Sequence, residues 1–293
     1  TNSRGPSVSV IDTTSNTVIG TPITVGGGPS GIAYDPVNER MYVTNSRSSS
    51  SSVSVIDTTS NTVIDTITVD PSPFGIAYDP VNERMYVTNE ASNSVSVIDT
   101  TSNTVIDTIT VGPNPFSIAY DPVNERMYVT NSRGPSVSVI DTTSNTVIGT
   151  PITVGGSPFG ISYDPVNERM YVTSFGSSTV SVIDTTSNTV IDTITVGTGP
   201  RGIAYDPVNE RMYVANQASN SVAVLFLSAT NVCQDSGFDA GEIRTFTSNS
   251  DMLEQITCVN FVGECSGDIQ NGETKQCTVE NYVTRILNLG ETP

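Results

Sequence analysis

The chain has 293 residues, 36% of them hydrophobic and 14% charged, a balance that indicates a folded globular protein rather than a disordered one. Its net charge is -18, with no His, a single Lys (Lys275) and 11 Arg, so a polyphosphate ligand is repelled over most of the surface and nucleic acid is not an expected partner. The longest apolar run, 222–227, is far shorter than the roughly 20 residues a spanning helix needs, so no membrane-spanning segment is expected either.

The first 27 residues contain two strand-like pieces joined by "DTTSN", and they recur letter for letter at 130–156. Thr1-Asn2 matches the end of the later string "YVTN", which suggests either a removed leader or further sequence upstream. The string "YDPVNER" then starts at 34, 78, 120, 163 and 205, at spacings of 44, 42, 43 and 42 residues. Such a period predicts a repeat architecture.

Each period holds four strand-like pieces rich in Val, Ile, Thr or Tyr. In the second full copy they are strand A "FGIAYD" (74–79), strand B "ERMYVTN" (83–89), strand C "SVSVID" (94–99) and strand D "TVIDTITV" (104–111). Between A and B, "DPVN" predicts a tight hairpin: Pro presets φ, Asp bonds backbone N–H groups ahead of it, and Asn tolerates a left-handed conformation. No window shows the apolar period of a helix, and Pro or Gly interrupts the chain at short intervals. Four antiparallel strands in about 42 residues make one propeller blade. The small Ala33, Ala77, Ala119, Ser162 and Ala204 suit close approach of the A strands around a channel, with Ile32, Tyr34 and their copies filling the space between blades.

"MYVTN" followed by "SVSVIDTTSNTVIDTITVG" and by "GIAYDP" resembles the YVTN family of β-propeller repeats of archaeal and bacterial surface-layer proteins, over about residues 1–227. The fourth and fifth copies depart slightly, with "YVTS" and "YVAN". The expected fold class is all-β: a propeller of four-stranded blades, five in this chain, either complete or part of a larger ring, since seven blades are usual for that family. Strands C and D of residues 1–27, joined to A and B of residues 202–215, would complete the fifth blade and close the ring. The segment "SVAVLFL" (221–227) is then a surplus C strand. It is a linker strand, a trace of a larger ring, or a strand exchanged between molecules through Val222, Val224 and Phe226.

Residues 228–293 lose the period and form a second expected domain, a small β-sandwich-like module. It carries all four cysteines, Cys233, Cys258, Cys265 and Cys277, an even number that suggests a disulfide framework. Cys233 with Cys258 and Cys265 with Cys277 is the expected pairing among the three that four cysteines allow; buried free thiols are the alternative. A zinc site is disfavoured because no Cys-x-x-Cys pair occurs. The stretch "ECSGDIQNGETKQCTVEN" (264–281) is similar to a Cys-bearing immunoglobulin-like module of archaeal extracellular proteins.

A catalytic site needs unlike groups converging on one point, whereas a five-fold repeat sets the same group at five equivalent points. Asp35, Asn38, Glu39, Arg40 and their copies are therefore expected to be turn caps and loop ion pairs. Without His or Trp, a common general base and a common stacking platform are missing, and no catalytic residue, cofactor or enzymatic activity is expected. "DSGFDAGE" (235–242) offers Asp235, Asp239 and Glu242 to a calcium ion but lacks the spacing of an EF-hand loop, so it fits a solvated boundary loop better.

The A-to-B and C-to-D loops share one face of the array and hardly vary, while the B-to-C and D-to-A loops on the other face do. There, after the Pro of each D-to-A loop, stand Ser30, Phe74, Phe116, Phe159 and Arg201, which form either a recognition patch or packing between blades. No glycosylation sequon occurs, and the Ser run 48–52 is either an O-glycan site or a flexible loop. The expected function is that of an extracellular structural or adhesion protein of a cell-surface layer, sheath or filament. The propeller would be its scaffold and the Cys-bearing module its connector, with self-association and with other surface proteins or glycans as partners. The alternative is a propeller enzyme of lactonase-like or quinoprotein-like type.

Overall fold

In a computed structural model of the chain, residues 1–47, 51–227 and the strand 286–288 are described. The chain divides into two compact units, Thr1–Phe226 with Ile286–Pro293, and Leu227–Arg285. The first unit is all-β. Strands β1 (Ser7–Asp12) and β2 (Thr17–Thr24) form a half-blade, and β3 (Pro29–Asp35), β4 (Arg40–Asn45), β5 (Ser52–Asp57) and β6 (Thr62–Thr68) form the first full blade. The second is β7 (Pro73–Asp79), β8 (Arg84–Asn89), β9 (Ser94–Asp99) and β10 (Thr104–Thr110). The third is β11 (Pro115–Asp121), β12 (Arg126–Asn131), β13 (Ser136–Asp141) and a D strand split into β14 (Thr146–Val147) and β15 (Ile152–Thr153). The fourth is β16 (Pro158–Asp164), β17 (Arg169–Ser174), β18 (Thr179–Asp184) and β19 (Thr189–Thr195). The fifth is β20 (Pro200–Asp206), β21 (Arg211–Asn216), β22 (Ser221–Phe226) and β23 (Ile286–Asn288).

Each A-to-B turn is built by its first residue. Asp79 Oδ1 accepts from the N–H of Val81 and Asn82 at 2.9 and 3.3 Å, and its Oδ2 accepts from Asn82 Nδ2 at 2.8 Å. The left-handed position falls on Glu83 (φ 52), one residue beyond the Asn that turn propensity favours. With Asn82 held by Asp79, the reversal is completed at the next residue. In the C-to-D loops, Asp99 Oδ1 accepts from Ser102 N and Oγ at 2.7 and 2.8 Å, and Asn103 (φ 56) takes the left-handed place.

Alternation along a strand sends Val53 and Val55 of β5 toward the following blade and Ile56 toward the preceding one. Both faces of an interior blade are therefore buried. Tyr42, Val53, Val55 and Ile67 of the first full blade pack with Met85, Val87 and Ile98 of the second, and the same set recurs between the second and third and between the third and fourth. At the start of the array, Val8 and Ile23 of the half-blade cover Val43 and Ile56.

Polar bonds cross each of these contacts. Tyr86 Oη donates to Asn145 Oδ1 at 2.6 Å and lies 3.3 Å from the Thr142 carbonyl, to which Arg84 Nη1 also donates at 3.1 Å. Thr88 Oγ1 donates to the Phe116 carbonyl at 2.9 Å. Arg84 thus serves a carbonyl of the next blade, where the sequence suggested an ion pair within the loop.

Two expectations about the fold class are corrected. The first is closure. The inner strands adjoin in the order β3, β7, β11, β16, β20, but β20 does not return to β3, and β1 pairs with β2 alone in a two-stranded sheet. The array is a sequence of six antiparallel sheets with no closed ring. The reason lies at β21: its neighbour is β22, four residues farther along the chain, in register Arg211↔Phe226 to Asn216↔Ser221. A short local hairpin closes at far smaller entropic cost than pairing with β1, about 200 residues away. The segment that looked surplus is thus the C strand of the last blade, bonded on its other edge to β23. The second correction is the disulfide-bonded module: no disulfide bond is present among the described residues, and Cys233, Cys258, Cys265 and Cys277 lie outside them.

The cross-blade tyrosine bond sets a stability test. Tyr86→Phe removes a short buried hydrogen bond and keeps the ring, so it should lower the unfolding free energy by about 1–2 kcal/mol. Tyr34→Phe, on a half-exposed ring of the preceding blade, should stay within about 0.5 kcal/mol of wild type. Urea titration of both variants checks the difference.

Candidate functional site

The rim formed by the D-to-A loops is where the copies differ, and the structure joins the residues singled out there into one strip. Phe74 and Phe116 have ring centroids 4.3 Å apart, Phe116 and Phe159 meet edge to face at 4.7 Å, and Phe159 meets Phe175 at 5.7 Å. The Arg201 guanidinium stands 4.6 Å from the Phe159 centroid and 5.8 Å from that of Phe175. Each ring comes from a separate blade except Phe175, which the B-to-C loop of the fourth blade contributes. The stacking needs the inner strands to lie close. Gly75 permits this, since a Cβ there would come within 2.6 Å of the Phe116 carbonyl oxygen.

The two readings of the strip are therefore compatible. The three phenylalanines at the strand starts are partly buried and pack from blade to blade, while Phe175 and Arg201 are exposed at one end. Arg201 and Phe175 supply an apolar and cationic pair without a counterpart in the other copies, which have Ser30, Phe74, Phe116 and Phe159 at the place of Arg201 and Ser46, Glu90, Ser132 and Gln217 at that of Phe175. Phe175 belongs to the variable loop "SFGSST" and was the member of the strip that the repeat alignment did not point to.

The opposite face carries a polar network repeated from blade to blade. The hydroxyl of Tyr78 stands beside the Asp35 carboxylate of the preceding blade, and Tyr120 with Asp79, Tyr163 with Asp121 and Tyr205 with Asp164 follow the same pattern. Burial, then the neighbouring carboxylate, pushes the Tyr78 phenol well above its ordinary range. Burial would also raise Asp35, but hydrogen bonds from the Asn38 side chain and from the Asn38 and Val37 N–H groups outweigh it and hold the carboxyl below its ordinary value. Across the neutral range the Asp35 carboxylate is therefore charged and the Tyr78 phenol neutral.

Among the described residues no group of three or more His, Cys, Asp or Glu is placed to hold a metal ion. Asp235, Asp239 and Glu242 lie outside those residues. Val222, Val224 and Phe226, expected as exchange contacts, lie on β22, and the Arg211 guanidinium sits 4.6 Å from the Phe226 ring. The residues that sequence reasoning missed are the B-strand tyrosines and their loop asparagines, such as Tyr42 with Asn103 at 2.7 Å. A signal was present: an invariant Tyr within a buried strand needs a hydroxyl partner, and an Asn at a fixed loop position in every copy supplies one.

No protein-family model matches the chain, and no curated protein matches it. Among solved structures, hydrazine synthase of Kuenenia stuttgartiensis is similar over 78% of this chain and 91% of that one, with 20% identity and a TM-score of 0.54. A functionally unknown protein from Desulfotomaculum acetoxidans DSM 771 is similar over 78% of this chain and 74% of that one, with 16% identity and a TM-score of 0.69. At these identities the likeness is one of fold. It agrees with an all-β chain of repeated four-stranded antiparallel sheets.

The titrating groups set a pH dependence with two limits. The loop aspartates Asp57, Asp99, Asp141 and Asp184 are held below 3.8, first by the N–H of Ser60, Ser102, Ser144 and Ser187. A carboxyl with a lower pKa folded than unfolded stabilises the fold above pH 3.8, and that contribution disappears as pH falls through the folded value. Tyr42, Tyr86, Tyr128 and Tyr171 are pushed up from 10 to about 12, first by burial, so their contribution is complete below pH 10 and is lost as pH rises toward about 12. Thermal midpoints should be flat across the neutral range and fall on both sides. A midpoint unchanged up to about pH 12 contradicts the buried tyrosine network.

Proposed function

We propose that this chain is an extracellular structural protein of a cell-surface layer, sheath or filament, of the YVTN-like repeat kind, in which the blade array is a rigid scaffold that self-associates. The observation that carries this reading is how the polar side chains are used. The same Asp, Asn, Arg and Tyr serve turn caps and blade-to-blade bonds in copy after copy, as Asp35 and Asp79 do with Asn38 and Asn82 at 2.8 Å. Such repetition suits a scaffold better than a single reaction centre. The non-repeating end of the aromatic strip, Phe175 with Arg201, is the surface best suited to contact a glycan or another surface protein, since an exposed ring beside a cation supplies stacking and hydrogen bonding together.

A propeller enzyme of lactonase-like or quinoprotein-like type would require unlike polar groups converging on one mouth of the array. The strip that is unlike from blade to blade brings together aromatic rings and one guanidinium instead.

Because the net charge of -18 makes copies repel one another, assembly should strengthen with salt. Electron microscopy of the concentrated chain at about 0.05 and about 0.5 M salt should show ordered filaments or sheets, more abundant at the higher ionic strength. Monodisperse monomers under both conditions contradict the structural assignment.

A further inference from the structure

The residues that every interior blade buries against the next are exposed at the two ends of the array. Toward the following blade, a blade presents a B-strand Tyr and two C-strand Val. Tyr42, Tyr86 and Tyr128 are 0% exposed, yet their equivalent in the last blade, Tyr213, is 38% exposed. Val53, Val95, Val137 and Val180 are likewise 0% exposed, against 46% for Val222. Toward the preceding blade, a blade presents the Ile near the end of strand C. Ile98, Ile140 and Ile183 are 0% exposed, whereas Ile11 of the half-blade is 59% exposed. Each end therefore carries one half of a contact that this chain makes repeatedly within itself.

The polar half of that contact is also divided between the ends. Interior tyrosines reach the first Thr carbonyl and the left-handed Asn of the next C-to-D loop, as Tyr86 does at Thr142 and Asn145. The loop between β1 and β2 has the same sequence, with Thr13 at the first place and Asn16 at the second, and Asn16 has φ 54, as Asn103 and Asn145 have φ 56 and 55. The Tyr213 hydroxyl, unlike the residue's backbone in the β21 ladder, has no hydrogen-bond partner among the described residues.

Resting on the assembly reading above, we propose that the outward face of β21–β22 in one copy docks on the outward face of β1–β2 in a second copy. Blade stacking then continues between molecules, with Tyr213 donating to Thr13 O and Asn16 Oδ1 of the neighbour. The partner is a second copy because the two faces are the complementary sides of this chain's own interior contact, and the two ends do not meet within one molecule. The departures of the last blade fit a half-blade neighbour. Interior blades use a Thr to bond the A-strand carbonyl of the next blade, as Thr88 does with Phe116. A half-blade of strands C and D has no A-strand carbonyl to offer, and the last blade has Ala215 at that position. The Asp that ends each interior C strand is replaced by Phe226, which extends the apolar face begun by Val222 and Val224. The contact is heterologous: each copy contributes one face of each kind, so the chain propagates head to tail unless its rotation closes a ring.

The test uses the full chain and two surface variants, Ile11→Asp and Val222→Asp, followed by sedimentation velocity over a range of concentrations, with circular dichroism melting as a fold check. Both positions are exposed, so both variants should melt within a few degrees of wild type. Wild type should sediment as a growing series of species, and each variant alone should be monomeric. An equimolar mixture of the two should form dimers and stop there, because Ile11→Asp retains the β21–β22 face and Val222→Asp retains the β1–β2 face. If a variant misfolds, Tyr213→Asp replaces Val222→Asp, or Val18→Asp replaces Ile11→Asp, in the same scheme. Variants that assemble like wild type, or a mixture that stays monomeric while wild type assembles, overturn these faces and leave the structural assignment standing. A wild-type chain that is monomeric throughout overturns both.

Discussion

A B-strand phenol hydroxyl buried inside this β-sheet stack needs an acceptor, and in the interior blades it finds one on the next blade. Tyr42, Tyr86 and Tyr128 are fully buried and reach Asn103, Asn145 and Asn188 at 2.6–2.7 Å. A blade with such a residue at its centre has an unmet hydrogen bond until its neighbour is in place, a cost of order 1–3 kcal/mol for a buried group. The aliphatic contacts around it are non-directional and would tolerate sliding. The tyrosine, reinforced by Arg84-type bonds to the same loop carbonyl, fixes the register of one blade on the next.

Everything else in the array follows from making that contact repeatedly. Both sheet faces must be apolar, so the strands are dense in Val and Ile. The loop that receives the tyrosine must hold its shape, which the Asp–Ser bonds and the left-handed Asn achieve. Stability is then close to a sum of blades and nearest-neighbour contacts, as in other repeat proteins. Such an array has two unlike ends by construction, and its ends are the places where the repeating rule is left incomplete. A ring would remove them, but β22 takes the edge of β21 that β1 would need.

Much of this was legible in the sequence because the repeat multiplies each signal. Strands β7 to β10 begin and end within one residue of the stretches read from Val, Ile and Tyr patterning, and "DPVNE" and "DTTSN" turn where Asp and Asn chemistry places them. The aromatic strip was visible as single residues but not as a ladder, because whether Phe74, Phe116 and Phe159 touch depends on blade spacing and not on local pattern. Closure was misjudged for a related reason. The matching text of residues 1–27 and 202–215 shows that they could pair, but not that a neighbouring strand with a different sequence, "SVAVLF", competes for the same edge at lower entropic cost. The tyrosine-to-asparagine bonds were hidden because the partners lie about 60 residues apart, a separation that periodicity alone does not connect.

The most direct measurement of the central constraint is a double-mutant cycle across one blade contact, combining Tyr86→Phe with Asn145→Ala and reading unfolding free energies in denaturant. If the cross-blade bond holds the register, the two changes are strongly non-additive, with a coupling of about 1 kcal/mol, because each removes the same interaction. Two changes that add to within about 0.3 kcal/mol would show that the tyrosine and the asparagine act independently, and that aliphatic packing alone holds blade to blade.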